Sequence, residues 1–292
     1  MRIGEAYGNG KFGLSFELFP PKTPAADEEL FAHLRELVAF EPSYITCTYG
    51  AGGSTRDKTL SVVERVHRQF GRTVASHLTC VGATVDELRA FLREAHNRKI
   101  ENLVALRGDP PRGETAFTPV AGGLSHANEL VRLIRTEFPE FGIAVAGYPE
   151  THLEAPSPAA DLENLRRKVD SGADAVITQL FYDNADFFNF RQRALRIGIR
   201  VPIVPGILPV TNLAQIRRIT SLCGARLPAD FVEQLTDYED QPEGQFQVGV
   251  EFATRQVQGL LDAGIPGIHF YVLNKSPATA AVLRGVSRSA KL

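Results

Sequence analysis

Eight short apolar runs, separated by amphipathic stretches, extend along this 292-residue chain, and that repetition constrains the fold more than any single motif. The runs fall at 14–19, 44–48, 73–79, 101–106, 142–147, 174–178, 202–205 and 267–272, and their length and composition predict strands. Between and beyond them, helical periodicity covers 26–39, 56–70, 84–98, 123–137, 158–170, 184–197, 211–222, 228–237, 245–263 and 277–286. Repeated strand–helix units demand parallel pairing, because each strand must return through a crossover before it can pair again. Eight such units close most naturally into an α/β fold of the (β/α)8 TIM-barrel type, one domain across 1–292; an open doubly wound sheet is the alternative.

Local signals agree with this layout. Thr84 with Glu87 three residues on predicts a capping box, and Gly71, Gly172, Gly198 and Gly264 stand where helices should stop. With 32 basic and 34 acidic residues the net charge is −2, which offers no global attraction to nucleic acid or an anionic membrane. The first residues lack an apolar targeting segment and no run approaches the ~20 apolar residues of a membrane helix, so a cytoplasmic protein is expected. Cys47, Cys80 and Cys223 are odd in number and widely spaced, the pattern of free thiols; neither a disulfide framework nor a metal site is expected.

In a barrel of this type chemistry gathers where strands end at their carboxyl side. Those positions hold Glu17, Thr48, His77, Arg107 with Asp109, Tyr148, Gln179, Gly206 and Asn274 with Lys275. Strand alternation puts Ser15, Glu17 and Phe19 on one face and Leu14, Phe16 and Leu18 on the other, so if the apolar set faces the helices Glu17 points into the barrel mouth. Desolvation there raises a carboxyl pKa unless a cation sits close, which suits a proton donor at neutral pH; the alternative is a Glu paired to a neighbouring strand. On the helix after 157, Asp161, Asn164 and Lys168 lie beside the apolar stripe of Leu162, Leu165 and Val169, an edge position from which they can meet a ligand over the rim, with Arg167 near for phosphate.

Three further stretches are less specific. The Gly8–Gly13 stretch matches G-x-G-x-x-G but precedes a strand, so it fails as a dinucleotide fingerprint. Arg107-Gly108-Asp109 resembles an adhesion tripeptide but ends a strand that reads as buried. The glycine-rich segment Tyr49–Asp57 can approach an anion through its backbone, yet lacks the Lys-Ser/Thr of a P-loop.

S-F-E-L-F-P-P-K (15–22), T-Y-G-A-G-G-S-T-R-D (48–57), H-L-T-C (77–80), L-R-G-D-P-P (106–111), G-Y-P-E-T-H (147–152), D-L-E-N-L-R-R-K-V-D-S-G-A (161–173), I-T-Q-L-F-Y-D (177–183), P-G-I-L-P-V (205–210) and H-F-Y-V-L-N-K (269–275) occur in this order. Together they resemble the methylenetetrahydrofolate reductase family, in its bacterial form with the catalytic barrel alone and no regulatory domain. The resemblance implies FAD held without a Rossmann motif, with contacts at Thr48, His77, Arg107, Gly108, Asp109, Tyr148, His152, Ala155, Asp161, Asn164, Arg167 and Lys168. It implies a ping-pong reaction in which NADH or NADPH reduces the flavin and methylenetetrahydrofolate then takes its place, with Glu17 as the acid that opens the folate ring at N10. Asp109 would tune the flavin and hold the folate, and Gln179 would touch either substrate. Many members carry Arg where this chain has Lys275, at the folate tail, so the bidentate fork is lost there. A homo-oligomer, dimer or tetramer, is also implied. Another FAD barrel of the proline dehydrogenase kind, or a barrel that binds flavin or folate without turnover, are the competing readings.

Overall fold

The computed structural model describes residues 1–8, 10–49, 56–110, 113–114 and 116–286, without the side chains of Arg56 and Asp57. The glycine-rich segment 50–55 therefore lies outside the described residues, as do positions 111, 112 and 115 of the segment 108–123.

Among the described residues eight strands pair in parallel into a closed barrel in sequence order: β1 (Gly13–Leu18), β2 (Tyr44–Cys47), β3 (Thr73–Thr79), β4 (Asn102–Leu106), β5 (Gly142–Gly147), β6 (Ala175–Leu180), β7 (Ile203–Ile207) and β8 (Gly267–Tyr271). β8 closes on β1 with Ser15 beside His269 and Glu17 beside Tyr271. The outer layer consists of α1 (Pro24–Val38), α2 (Arg56–Phe70), α3 (Val85–Asn97), α4 (Ala127–Glu137), α5 (Pro158–Asp170), α6 (Asn184–Arg196), α7 (Leu213–Cys223), α8 (Ala229–Thr236), α9 (Pro242–Asp262) and α10 (Pro277–Gly285). The barrel reading of the sequence holds, and no helix among the described residues is long and apolar enough to cross a membrane.

Strand alternation sorts the side chains into two cores. Leu14, Phe16, Leu18, Ile45, Leu103, Ile143 and Phe270 face outward into the main core, which the apolar stripes of the helices complete. The inside of the barrel is filled by a separate cluster of Tyr44, Ala75, Val104, Ala144, Ala175, Ile177 and Val204 with Ile3, Ala6 and Tyr7. Those last three belong to a 3-10 helix, Ile3–Tyr7, which seals the amino-terminal end of the barrel. The sequence pattern assigns no element here, since five residues are too few to show a period. Ile3 N–H donates to Asn102 at the start of β4, and the Tyr7 ring slots against β1 and β8 where both begin with glycine. A Cβ on Gly13 or Gly267 would stand 2.2 or 2.7 Å from Tyr7 Cε1, so only glycine leaves room.

Element bounds follow the expected ones with physical exceptions. The helix expected from 123 begins at Ala127, because the N–H groups of Ser125 and His126 turn to the Glu129 carboxylate and fix the cap there. Thr84 and Glu87 form the expected capping box, with Thr84 N–H donating to the carboxylate at 2.8 Å. β6 and β7 run on to Leu180 and Ile207, past the points where the apolar runs were read to stop; a register shift between Ile177 and Leu180 accommodates the β6–β7 pairing.

Candidate functional site

A cavity of about 830 Å³ opens at the carboxyl ends of the strands, within the range of small-molecule sites. Glu17, 9% exposed, stands on its floor. It faces inward because Leu14, Phe16 and Leu18 are all committed to the outer core. Two imidazoles meet it: His77 Nε2 from β3 at 3.3 Å and His269 Nε2 from β8 at 3.5 Å, both to Oε2. Burial pushes the Glu17 carboxyl up, as the sequence reading held, but His77 and then His269 outweigh it and bring the group down to about 2. The expected upward shift is thus corrected: the neighbours that hold the carboxyl down come from β3 and from the adjoining β8. Glu17, His77 and His269 thus form one contact cluster, and the charge of the carboxyl is set by these neighbours rather than by its burial alone.

His77 is buried, and neither of its ring nitrogens has a hydrogen-bond partner among the described residues; the same holds for His269 Nε2. Both Nε2 atoms face Glu17, but His77 Nδ1 meets neither a hydrogen-bond partner nor the carboxylate, and a buried polar atom left so is costly unless something else meets it.

The walls supply recognition groups. Arg107 forks onto Glu154 with hydrogen bonds of 2.6 and 2.7 Å. Gly108 turns the chain with φ +90°, and a Cβ there would lie 2.7 Å from Val81 Cγ1, so the backbone passes tightly beneath the rim that carries Asp109. From α5, Asp161, Asn164, Arg167 and Lys168 all reach the cavity wall, as their edge position predicted. Lys168 donates to the Ala146 carbonyl at 2.5 Å and stands 5.8 Å from the centre of the Tyr148 ring. Burial brings its ammonium down to about 8, opposed by Asp161. Asp161 is itself raised by burial while it accepts from the His152 N–H. The α5 helix starts at the Ser157 cap with Pro158 in its first turn, which fixes where these side chains emerge.

Thr48, His77, Arg107, Gly108, Asp109, Tyr148, His152, Asp161, Asn164, Arg167, Lys168, Gln179 and Glu17 all line this one cavity. Two expected residues do not. Ala155 is half-buried with its N–H on the His152 carbonyl, and Lys275 is exposed just past the left-handed pair Leu273 and Asn274. Several wall or floor residues escaped the sequence reading. Thr79 and Tyr271 end strands and were open to the same rule as the others; His269 shares a face with Gly267 and Tyr271 by simple alternation. Asn128 and Glu129, by contrast, come from the start of α4, whose approach to the rim leaves no local signal.

Fold and site define a ligand-binding (β/α)8 barrel whose cavity joins a buried acid–imidazole cluster to a cationic, hydrogen-bonding rim. The family model described as methylenetetrahydrofolate reductase matches residues 2–287. Among curated proteins, the chain is 39% identical over 273 residues to 5,10-methylenetetrahydrofolate reductase of Escherichia coli (strain K12), covering 94% of this chain and 90% of that one. It is likewise 39% identical over 292 residues to methylenetetrahydrofolate reductase (NADH) 1 of Zea mays, covering 97% of this chain but 49% of the maize protein, so it spans about half the length of the plant relatives. Among solved structures, a Clostridium thermocellum protein described as binding two copies of 5-methyl-5,6,7,8-tetrahydrofolic acid superposes with a TM-score of 0.63 at 15% identity, over 97% of both chains, a likeness of fold. This chain belongs to the methylenetetrahydrofolate reductase family.

Proposed function

We propose that this protein reduces 5,10-methylenetetrahydrofolate to 5-methyltetrahydrofolate, with FAD as bound cofactor and NADH or NADPH as electron source, the two substrates alternating at the cavity. One observation carries the reading: a buried carboxylate flanked by two imidazoles stands on the floor of the cavity that the family's motif residues surround. When bound, FAD supplies the two-electron carrier between nicotinamide and folate. The residues present fit such a group. His77 offers a buried Nδ1 with no hydrogen-bond partner among the described residues, Gly108 a close backbone approach, and Arg107 with Lys168 the positive charge for a pyrophosphate.

The chain's own work is acid–base chemistry and positioning. Glu17 carries the proton to the departing folate N10, supplied by the cluster it forms with His77 and His269, and a carboxyl in that place serves because opening of the five-membered ring needs the amine neutralised as it leaves. Asp109 at the rim and Gln179 at the end of β6 hold the pterin, and Asp109 sets a negative charge near the flavin. The Gln179 carboxamide oxygen accepts from the Leu180 N–H at 2.9 Å, leaving its NH2 for substrate. Exposed Lys275 attracts the folate tail by charge without a fork. The working unit is a homo-oligomer, checked by sizing the holoprotein.

The test is anaerobic. The FAD-loaded protein should lose its flavin absorbance with NADH or NADPH and regain it on addition of methylenetetrahydrofolate, with 5-methyltetrahydrofolate as product. A protein that binds no flavin, or a reduced flavin indifferent to the folate, would overturn the reading; the second outcome would favour a different flavin barrel.

A further inference from the structure

The loop from β5 to α5 contains a strained residue. Two turns follow one another there: Thr151 N–H donates to the Tyr148 carbonyl at 3.2 Å, and Ala155 N–H to the His152 carbonyl at 2.9 Å. Where they join, Thr151 stands at φ +80°, left-handed backbone that a β-branched side chain fits badly. Such a residue is disfavoured by a factor of about ten or more and persists only where its surroundings over-determine it.

The second turn carries groups to the cavity. His152 N–H donates to Asp161 at 3.2 Å, and its ring meets Tyr148 edge-on at 4.6 Å. Glu154, two residues on, accepts the Arg107 fork. Tyr148, His152, Asp161 and Arg107 all line the cavity, so the direction in which the chain leaves Thr151 decides how that part of the wall is built.

The grip on this loop comes from the stretch after α7. Glu150, its side chain 8% exposed, accepts from the Arg226 backbone N–H at 3.1 and 3.2 Å and from Arg226 Nε at 2.8 Å. Arg226 Nη2 donates onward to Asp186 in the first turn of α6, at 3.1 and 3.2 Å. Just before it, Gly224 ends α7 at φ +78°, and a Cβ there would lie 2.6 Å from Leu153 Cδ2. Thr151 is thus held from both sides, at Glu150 and at Leu153, by one short segment. Neither Glu150 nor Arg226 lines the cavity. Removing the guanidinium leaves a buried carboxylate short of its partner, and the turn that carries it must open to bring the charge to water.

We propose that Glu150 and Arg226 are positioning residues for the cofactor: their ion pair holds Thr151 in left-handed backbone and thereby sets His152 against Asp161 and Glu154 against Arg107. Without the pair, Thr151 relaxes to ordinary backbone and the second turn swings off the wall. The proposal rests on the flavin reading above for the identity of the ligand, but its first two tests need no ligand.

Hydrogen exchange followed by mass spectrometry reads the loop directly. In ligand-free Arg226→Ala, peptides within 150–156 should exchange about tenfold faster than in wild type, with peptides of the barrel strands unchanged. Arg226→Lys, which keeps a charge for Glu150, should fall between. Denaturant titrations read the strain. Glycine is at ease at φ +80°, so Thr151→Gly should raise the folding equilibrium constant about tenfold more in wild type than in Arg226→Ala, where the strain is already released. With FAD, the dissociation constant should rise about tenfold in Arg226→Ala. Loop exchange equal in Arg226→Ala and wild type, faster exchange spread alike over the barrel strands, or a Thr151→Gly effect that is the same in both backgrounds overturns the proposal, as does wild-type FAD affinity in a loosened loop. If the exchange and folding results hold while neither protein takes up FAD, the clamp on the loop stands and the flavin reading falls.

Discussion

Lys168 offers the sharpest separation of stability from binding. Its amine is taken from the ordinary value of 10.5 down to about 8 by burial, against a partial opposing pull from Asp161. At about 1.4 kcal/mol per pH unit, that gap caps the cost of holding the ammonium charged in the folded protein at roughly 3 kcal/mol. Since part of the side chain reaches solvent, about 2 kcal/mol is the better expectation. The sign follows from the depressed folded pKa. The penalty is fully present below pH 8, shrinks as pH rises through 8, and is gone above 10.5, where the unfolded chain also loses the proton. Lys168→Met should therefore make the ligand-free protein more stable at pH 7 by about 1–2 kcal/mol, the lower figure allowing for the lost bond to the Ala146 carbonyl. That advantage should fade by pH 10 in denaturant titrations. If FAD binds as proposed, it should invert the order, because a pyrophosphate beside Lys168 would restore the charged form and stabilise the wild type more than the variant. Calorimetry in buffers of different ionisation heat should detect up to about half a proton taken up per FAD bound at pH 8, and little at pH 6.5. An advantage of Lys168→Met that does not change with pH, or proton uptake equal in wild type and variant, would refute the account.

Other expectations can be checked more briefly. Glu17→Gln should retain FAD and its reduction by nicotinamide while folate reduction falls about 10²–10⁴-fold in stopped-flow half-reactions, the range for loss of a general acid; equal losses in both halves would remove the folate-specific role. Gly108→Ala, at φ +90° with Val81 and Thr79 in the way, should lose about 1–3 kcal/mol in denaturant titrations and weaken FAD binding. Burial pushes the Cys47 thiol well up and Cys80 to about 12, so at pH 8 neither should react with a thiol reagent until the protein unfolds.

The barrel was legible because each strand is flanked by residues that announce a change of period, and because alternation in β1 alone decides that Glu17 points inward. The α5 stripe was legible for the same reason: Asp161 and Lys168 sit beside Leu162 and Leu165, so helical geometry carries them to the rim. What remained hidden depends on distance in the chain. Burial of Glu17 could be read locally, but the imidazoles that reverse its titration arrive from residues 77 and 269, and a sum of opposing terms cannot be signed from one of them. Likewise, nothing in Ile3–Tyr7 says that a five-residue turn will close the far end of the barrel; that follows only from the gaps left by Ala75, Ala144 and Ala175 and by two strand-initial glycines. Lys275 also lies next to a strand end, but the left-handed residues before it turn it out to solvent and away from the cavity lining, a turn that the strand pattern alone does not announce.

The pairing of Gly13 with Gly267 ties the first strand of the barrel to its eighth. Until residue 271 has emerged, β1 has a bare edge carrying Phe16 and Leu18, and the growing sheet is an open ribbon prone to capture by other chains. Synthesis interrupted anywhere before that point leaves two unsealed margins instead of a smaller stable protein. Fragments that stop short of β8 should therefore aggregate more readily than the closed ring, a consequence of the order in which its strands pair.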